Sequence, residues 1–262
     1  MSLRACLTGI LLALSLPGAD KPPLPAETSE FLAWYESYTG PINPADVIRS
    51  YEERLTKQGI DENEAKRRIG VVQNSIRSMP DEFTAVHFNK IYGSPNSPFR
   101  QEPSQFMARI AADLKPGAAL DVAMGQGRNA LYLAGKGWNV TGYDLSQCGL
   151  DLARASARAA GLKLDTIRAS HDAFDYGISR WDLIVETFAF SNLDDAGYRK
   201  RIIDSLKPGG ILLIEGFGGG SEKNHYIEMF KDLRVVYFED RDDIADWGMQ
   251  KSRITRIAVR KD

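Results

Sequence analysis

Two glycines, an alanine and two carboxylates are spaced in this chain as they are around a bound nucleoside. The run Asp121-Val122-Ala123-Met124-Gly125-Gln126-Gly127-Arg128-Asn129-Ala130 reads G-x-G-x-x-A from Gly125. Gly125 permits a tight turn, Gly127 lets the backbone approach a ligand closely, and Ala130 lets a helix pack near a strand. A helix starting there offers N–H groups without intrahelical partners. Asp144 follows 19 residues after the first glycine, at the end of an apolar run. A carboxylate in that place accepts hydrogen bonds from both hydroxyls of a ribose. The rival reading is a structural strand–helix turn with Asp144 as an exposed helix cap. Asp121 bears on the choice of ligand. An anion four positions before Gly125 would repel a pyrophosphate, whereas a cofactor with an ammonium group and a positive sulfur tolerates it.

The elements that must position these residues follow from the hydrophobic pattern. From residue 118 short apolar runs alternate with helical segments. Strands are expected at 118–123, 139–143, 164–168, 183–188 and 211–215, with helices from 129, 149, 196 and 224 between them. That rhythm indicates a parallel sheet covered on both faces. Two closing strands, 233–239 and 252–259, have only a short polar connection and are expected to pair antiparallel. Ahead of this domain, Pro44-Ala45-Asp46 opens an amphipathic helix carrying Val47, Tyr51 and Leu55. Asp61 with Glu64 makes a capping-box pattern for a second, carrying Ala65, Ile69, Val72 and Ile76. Residues 44–79 therefore read as a helical hairpin, either a cap on the main domain or a lid over substrate. Residues 20–28, with Pro22, Pro23 and Pro25, read as a linker. Residues 29–39 are aromatic-rich, residues 81–103 are mixed, and a helix is expected over 105–114. The division is 1–19, 20–104 as a helical extension, and 105–262 as the main domain.

Composition narrows the function classes. The 262 residues carry a net charge of −2, which argues against a bulk electrostatic grip on nucleic acid. Cys6 and Cys148 are the only cysteines, and His87, His171 and His225 are far apart in sequence. No Cys/His spacing resembles a zinc site, so no metal is expected. There is no internal repeat, and nothing fixes the oligomeric state.

Asp121–Gly127, Gly142–Ser146, Asp172, Trp181–Glu186 and Leu206–Glu215 together resemble the successive motifs of class I methyltransferases that use S-adenosylmethionine (SAM). The resemblance covers about residues 105–262. Gly127-Arg128-Asn129-Ala130-Leu131-Tyr132-Leu133-Ala134, then Gly137-Trp138 and Val140, is similar to the tellurite-resistance-type and thiopurine-type small-molecule methyltransferases. The chain departs from them at Ala123-Met124, where Gly-Cys is common; both replacements are apolar and small or flexible. The resemblance implies a Rossmann-like, doubly wound, mostly parallel sheet of seven strands with an antiparallel last strand, and SAM as cofactor. It implies that Asp121 and the backbone of Ala123, Gly125 and Gly127 hold the methionine end. Asn129, at the start of the helix, is counted with them. Asp144 would take the ribose, Leu145 the adenine face, and Asp172 with Ala173 the adenine amino group. Glu186, ending the fourth strand, would face the methyl-transfer centre or the methionine amine. The rivals are Asp172 as a turn cap and Glu186 as a partner of Arg128.

Methyl transfer from a sulfonium needs position and exclusion of water more than activation. A thiolate or metalloid anion needs no strong base, while an amine or hydroxyl must lose a proton. Glu186-Thr187-Phe188-Ala189-Phe190-Ser191-Asn192 lacks the Asn/Asp-Pro-Pro-Tyr run of nucleobase-amine methyltransferases, and the chain has no Pro-Cys nucleophile. A small, apolar or soft acceptor is therefore expected. Its pocket candidates are Tyr92, Arg100, Phe188, Asn192, His225 and Tyr226, with His225, Tyr226 and Glu186 as the catalytic candidates. His225 follows Gly218-Gly219-Gly220, which would allow local loop movement. The alternatives are a macromolecular acceptor, with the hairpin as docking surface, and a non-catalytic SAM-binding module.

Residues 1–19 carry Arg4, the apolar run Ala5–Leu16 and the small-residue exit Pro17-Gly18-Ala19. That is the outline of a secretory signal peptide, and it is short for a ~20-residue membrane span. Secretion or export to a periplasm, a membrane anchor, and a cytoplasmic protein with an N-terminal helix all stay open. Export would part the domain from cytoplasmic SAM.

Overall fold

The computed structural model describes residues 23–95, 97–218, 224–246 and 249–262. The signal-peptide segment and Gly219-Gly220 lie outside the described residues. Two compact units divide the chain, Met1–Pro95 and Asn96–Asp262. Among the described residues no helix is long and apolar enough to cross a membrane.

The first unit has four helices: α1 (Ala26–Ser37), α2 (Pro44–Lys57), α3 (Glu62–Ile76) and α4 (Asp81–Gly93). The expected hairpin is α2 and α3. Asn43 accepts from the Asp46 N–H at 3.0 Å to cap α2, and Pro44 occupies its first turn. Asp61 accepts from the N–H groups of Asn63 and Glu64 at 3.0 and 3.1 Å. The reciprocal half of the capping box is missing, because the Glu64 carboxylate is engaged by Arg67 and Arg68. The linker expected over 20–28 ends early, since α1 begins at Ala26. Phe31 and Tyr35 sit one turn apart and are buried against Tyr51, Leu55, Val72 and Phe83. Trp34 and Tyr38 flank them and also contact rings of this cluster. Apolar side chains on several sides of α1 blur its period, which is why the pattern read only as aromatic-rich. Likewise α4 occupies most of the segment read as mixed; its Phe83, Ala85 and Ile91 are buried.

The second unit is built on one seven-stranded sheet in the order β3-β2-β1-β4-β5-β7-β6. Its strands are β1 (Ala118–Val122), β2 (Asn139–Asp144), β3 (Asp165–Arg168), β4 (Trp181–Thr187), β5 (Leu206–Phe217), β6 (Arg234–Ile244) and β7 (Lys251–Arg260). The first five strands are parallel. β7 inserts between β5 and β6 and runs antiparallel to both, so the closing pair forms as expected and also completes the sheet. The helices are α5 (Gln105–Ala112), α6 (Arg128–Gly135), α7 (Gln147–Ala159), α8 (Ala196–Ser205) and α9 (His225–Met229). One face of the sheet packs Phe106, Met107, Leu133, Leu150 and Ala153 from α5, α6 and α7. The other packs Tyr198 and Ile202 of α8, Tyr226 and Met229 of α9, and the Phe174–Tyr176 segment. This is the doubly wound, Rossmann-like fold expected above.

Candidate functional site

From β1 the chain winds through β2 to β3 on one side, and through β4 to β5 on the other. The order reverses between β1 and β4. In open α/β sheets that reversal leaves a crevice beyond the carboxyl ends of the strands. The glycine loop, Asp144 and Glu186 all stand at that edge.

The loop is shaped by steric necessity. Gly125 and Gly127 have φ of +54° and +81°, which favour glycine. A Cβ on Gly127 would lie 2.8 Å from Ala153 Cβ of α7, so a side chain there would push apart the loop and the helix. Met124 is buried, and a Cβ on Gly142 of β2 would overlap its sulfur. Gly142 thus makes the space in which methionine replaces the commoner cysteine. Ala123 takes φ of +50°, where an L-residue with a Cβ costs ~1–2 kcal/mol. Ala123→Gly removes that strain but adds freedom to the unfolded chain, worth ~0.4–1 kcal/mol. The expected net result is a gain of ~0.5–1 kcal/mol, raising Tm by ~1–4 °C in a thermal melt. A fall in Tm would refute the strain.

Three carboxylates are buried around this loop: Asp121, Asp144 and Glu186 are 2%, 8% and 2% exposed. Asp121 accepts from the Ala130 N–H at 3.0 Å, tying β1 to the first turn of α6. Burial pushes its pKa up to about 7, against the pull of that N–H and of Arg128. Asp144 accepts from Gly125 N–H at 2.8 Å through one oxygen and from Ser146 N–H at 2.7 Å through the other. Burial raises it to about 6, opposed by these backbone donors. An ionised carboxylate has about four acceptor sites, so Asp144 keeps capacity on both oxygens. Glu186 is raised by burial to about 8, against a smaller pull from the Tyr198 hydroxyl. One of its oxygens accepts from the Ser191 hydroxyl. The other, Oε2, and the Tyr198 hydroxyl are both buried without a hydrogen-bond partner of ordinary geometry among the described residues, although Tyr198 acts on Glu186.

The glycine loop also holds down the strand-free segment 97–104, assigned above to the N-terminal extension but packed here with the second unit. Gln126 Nε2 donates to Arg100 O at 3.2 Å, and Arg128 to Glu102 O at 3.1 Å. Asn129 Oδ1 accepts from Ser104 N–H at 2.9 Å, while its Nδ2 donates to Thr187 Oγ1 at 2.8 Å. The amide counted with the cofactor residues is therefore engaged at both ends, clamping this segment to β4. Arg128 pairs with Asp246 at 2.8 Å rather than with Glu186. Beyond Ser104 the network continues inward. The Ser104 hydroxyl donates to Glu215 at 2.5 Å. Arg256 meets Glu215 and Glu239 at 2.6 Å and Asp243 at 2.8 Å.

The remaining expected site residues are distributed unevenly. Leu145 is half-buried immediately after Asp144. Asp172 is exposed and lies 3.3 Å from Arg201, so its carboxylate faces a surface cation. The Ala173 N–H donates to Ser170 Oγ at 3.3 Å. His225 Nε2 stands 2.8 Å from Asp194 Oδ1. The Tyr226 hydroxyl is raised by burial and, to a lesser degree, by the charges of Glu186 and Asp194. Phe188 contacts Phe217 edge-on, with centroids 5.1 Å apart. Asn192 is exposed, its carbonyl accepting from Asp195 N–H at 3.0 Å. Arg100 pairs with Asp246 at 3.3 Å, and Tyr92 belongs to α4 of the first unit. Reading the sequence missed Ser191, Tyr198 and Asp246; none stands in a spacing that marks it.

A family model described as a methyltransferase domain matches residues 119–210. No curated protein sequence matches the chain. The fold is shared with TehB from Haemophilus influenzae, at 20% identity and a TM-score of 0.55 over 68% of this chain and 67% of that one. It is shared too with a structure described with the conversion of a disulfide bond into a thioacetal group during echinomycin biosynthesis. That match has 21% identity and a TM-score of 0.54 over 69% of this chain and 91% of that one. A SAM-dependent methyltransferase from Methanosarcina mazei matches at 21% identity and a TM-score of 0.50, over 58% and 96%. Residues 119–210 thus match a methyltransferase domain, and the second unit has the fold of SAM-dependent methyltransferases. The match points to a methyltransferase, the class of enzyme for which the resemblance gives SAM as cofactor. The site fits that group: Asp144 has acceptor capacity left for hydroxyls, and Glu186 keeps an unpartnered buried oxygen, while the tightness at Gly127 belongs to the packing of the loop on α7.

Proposed function

We propose that the domain transfers a methyl group from SAM to a small-molecule acceptor by in-line displacement. The observation that carries this reading is the burial of Glu186 at the strand-order reversal, with Oε2 unpartnered. A group that reaches it must be small or slender. Under this reading the 123–127 backbone and Asp121 take the methionine end, Asp144 takes the ribose hydroxyls, and Leu145 packs on the adenine. SAM supplies a methyl carbon already activated by the positive sulfur. The chain's own residues bind, orient and exclude water around it. The echinomycin-related neighbour, whose description names a disulfide-to-thioacetal conversion, supports chemistry on a small molecule. The test is release of S-adenosylhomocysteine on incubation with SAM and, separately, thiols, amines, hydroxyl compounds, tellurite and a mixed protein extract. Product with at least one small molecule is expected; product with the protein fraction alone overturns the reading.

His225 is the proposed polar contact for the acceptor, its imidazole oriented by Asp194. Removing one oriented hydrogen bond costs ~0.5–1.5 kcal/mol, so His225→Ala is expected to lower turnover about tenfold with SAM affinity unchanged. Steady-state kinetics beside calorimetry decides it, since equal loss of both assigns His225 to cofactor binding or to folding.

A further inference from the structure

Two cations of the first unit stand without a carboxylate. On α2 and α3, Arg49, Lys66, Arg67 and Arg68 each meet an acid. Arg54 and Lys57, three residues apart in the last turn of α2, form no ion pair and no side-chain hydrogen bond among the described residues. Cations in the last turn of a helix complement its dipole, which accounts for their sign. It does not account for the Arg54 Nε–H, which is buried without an acceptor, nor for the hollow beside it. Both side chains line a cavity of 450 Å³ confined to residues 34–58, within the ~300–1,000 Å³ range of small-molecule sites.

The opposite wall of this cavity is aromatic and fixed in place. Trp34 and Tyr38, one turn apart at the end of α1, have ring centroids 4.8 Å apart, and Trp34 meets the Tyr51 ring at 5.0 Å. The Tyr38 hydroxyl is hydrogen-bonded to Ser50 at 3.0 Å. Gly40 leaves the space for it, since a Cβ there would overlap the Tyr38 hydroxyl. Lys90 donates to the Tyr38 carbonyl at 2.6 Å. A wall held this firmly costs little further ordering when a ligand binds. Glu53 also lines the cavity, so two cations less one acid leave it a single net positive charge.

We propose that this cavity of the first unit is a binding site for a small planar aromatic monoanion, an aryl carboxylate. The ligand's ring lies on Trp34 and Tyr38, where aromatic faces pair favourably. Its carboxylate meets the planar guanidinium of Arg54, whose fork matches that shape, with Lys57 as the second cation. A neutral ring leaves both cations unpaired, an aromatic cation is repelled by them, and a dianion is repelled by Glu53. The site draws only on residues of the first unit, so it stands independently of the cofactor reading.

The test titrates 2-naphthoate, its neutral isostere 2-naphthamide and acetate calorimetrically into the full chain, each at up to about 1 mM. 2-Naphthoate is expected to bind saturably and at least about tenfold more tightly than 2-naphthamide, the factor that a charge-assisted hydrogen bond supplies. Acetate, which has no ring, is expected not to bind. Arg54→Gln is expected to erase the preference for 2-naphthoate, and Lys57→Gln to reduce it about threefold. Saturating S-adenosylhomocysteine, added first, is expected to leave 2-naphthoate binding unchanged. Equal binding of the two naphthyl compounds overturns the proposal, as does the absence of binding by both. A preference that survives in both variants overturns it as well, and so does displacement by S-adenosylhomocysteine, which would put the ligand in the crevice of the second unit. Circular dichroism checks the fold of Arg54→Gln. Lys57 is exposed, so Lys57→Gln carries the comparison by itself should the other variant unfold.

Discussion

Asp144→Ala is expected to raise the dissociation constants of SAM and S-adenosylhomocysteine alike by about a hundredfold. Asp144 ends β2 beside the strand-order reversal and is 8% exposed. Its two oxygens each spend one acceptor site on a backbone N–H, from Gly125 and Ser146. The sites left over suit a pair of vicinal hydroxyls. Two hydrogen bonds to a charged acceptor, at ~1.5 kcal/mol each after desolvation, amount to ~100-fold in affinity. The same carboxylate fixes Gly125, so the loop also loses part of its preorganisation. Calorimetric titration measures the change, and circular dichroism of the variant checks that the fold persists. The ribose is common to both ligands, so both must weaken together. Unchanged affinity for a folded variant would remove Asp144 from the binding site.

The largest expected loss of stability comes from a residue far from the loop in sequence. Arg256 of β7 is the hub of three ion pairs, to Glu215 of β5 and to Glu239 and Asp243 of β6. Glu215 is 4% exposed, and its other hydrogen bond comes from the Ser104 hydroxyl. Arg256→Ala leaves Glu215 as a buried charge without its cation, and leaves two more acids close by. Removing one partner of a buried pair costs ~3–5 kcal/mol. For a domain of this size that corresponds to a fall in Tm of about 10 °C. Because Ser104 connects through Asn129 to the first turn of α6, SAM affinity is expected to fall as well. The double variant Arg256→Ala/Glu215→Gln removes the stranded charge and is expected to recover part of the loss. Thermal melts of the single and double variants measure the coupling. A single variant as stable as the wild type would mean that solvent reaches Glu215 freely.

The parts of the fold that could be read from sequence are those fixed by local pattern. The β1–loop–α6 unit, the acid ending β2 and the antiparallel closing pair follow from period, glycine placement and connection length. α1 did not follow, because its aromatic residues surround the helix and leave no single apolar stripe. The insertion of β7 between β5 and β6 could not be read either: a short connection says that two strands pair, but not which of them meets β5. The site divides in the same way. Asp121 and Asp144 stand at fixed distances from Gly125, and the structure puts them at the loop. Asn129 belongs to the same run, yet its amide serves Ser104 and Thr187, and no spacing announces a clamp across 25 residues. Asp172 was marked by its place after β3, but its side chain lies out against Arg201. Glu215 and Arg256 lie far apart in sequence, and only their register on the adjacent strands β5 and β7 unites them.

Calorimetric titration of the full chain with SAM, with NAD run in parallel, decides whether this site binds the methyl donor. Saturable heat with SAM is expected, weakened about a hundredfold in Asp144→Ala, with no binding of NAD, whose pyrophosphate would meet the buried carboxylate of Asp121. Binding of NAD without any response to SAM would contradict it.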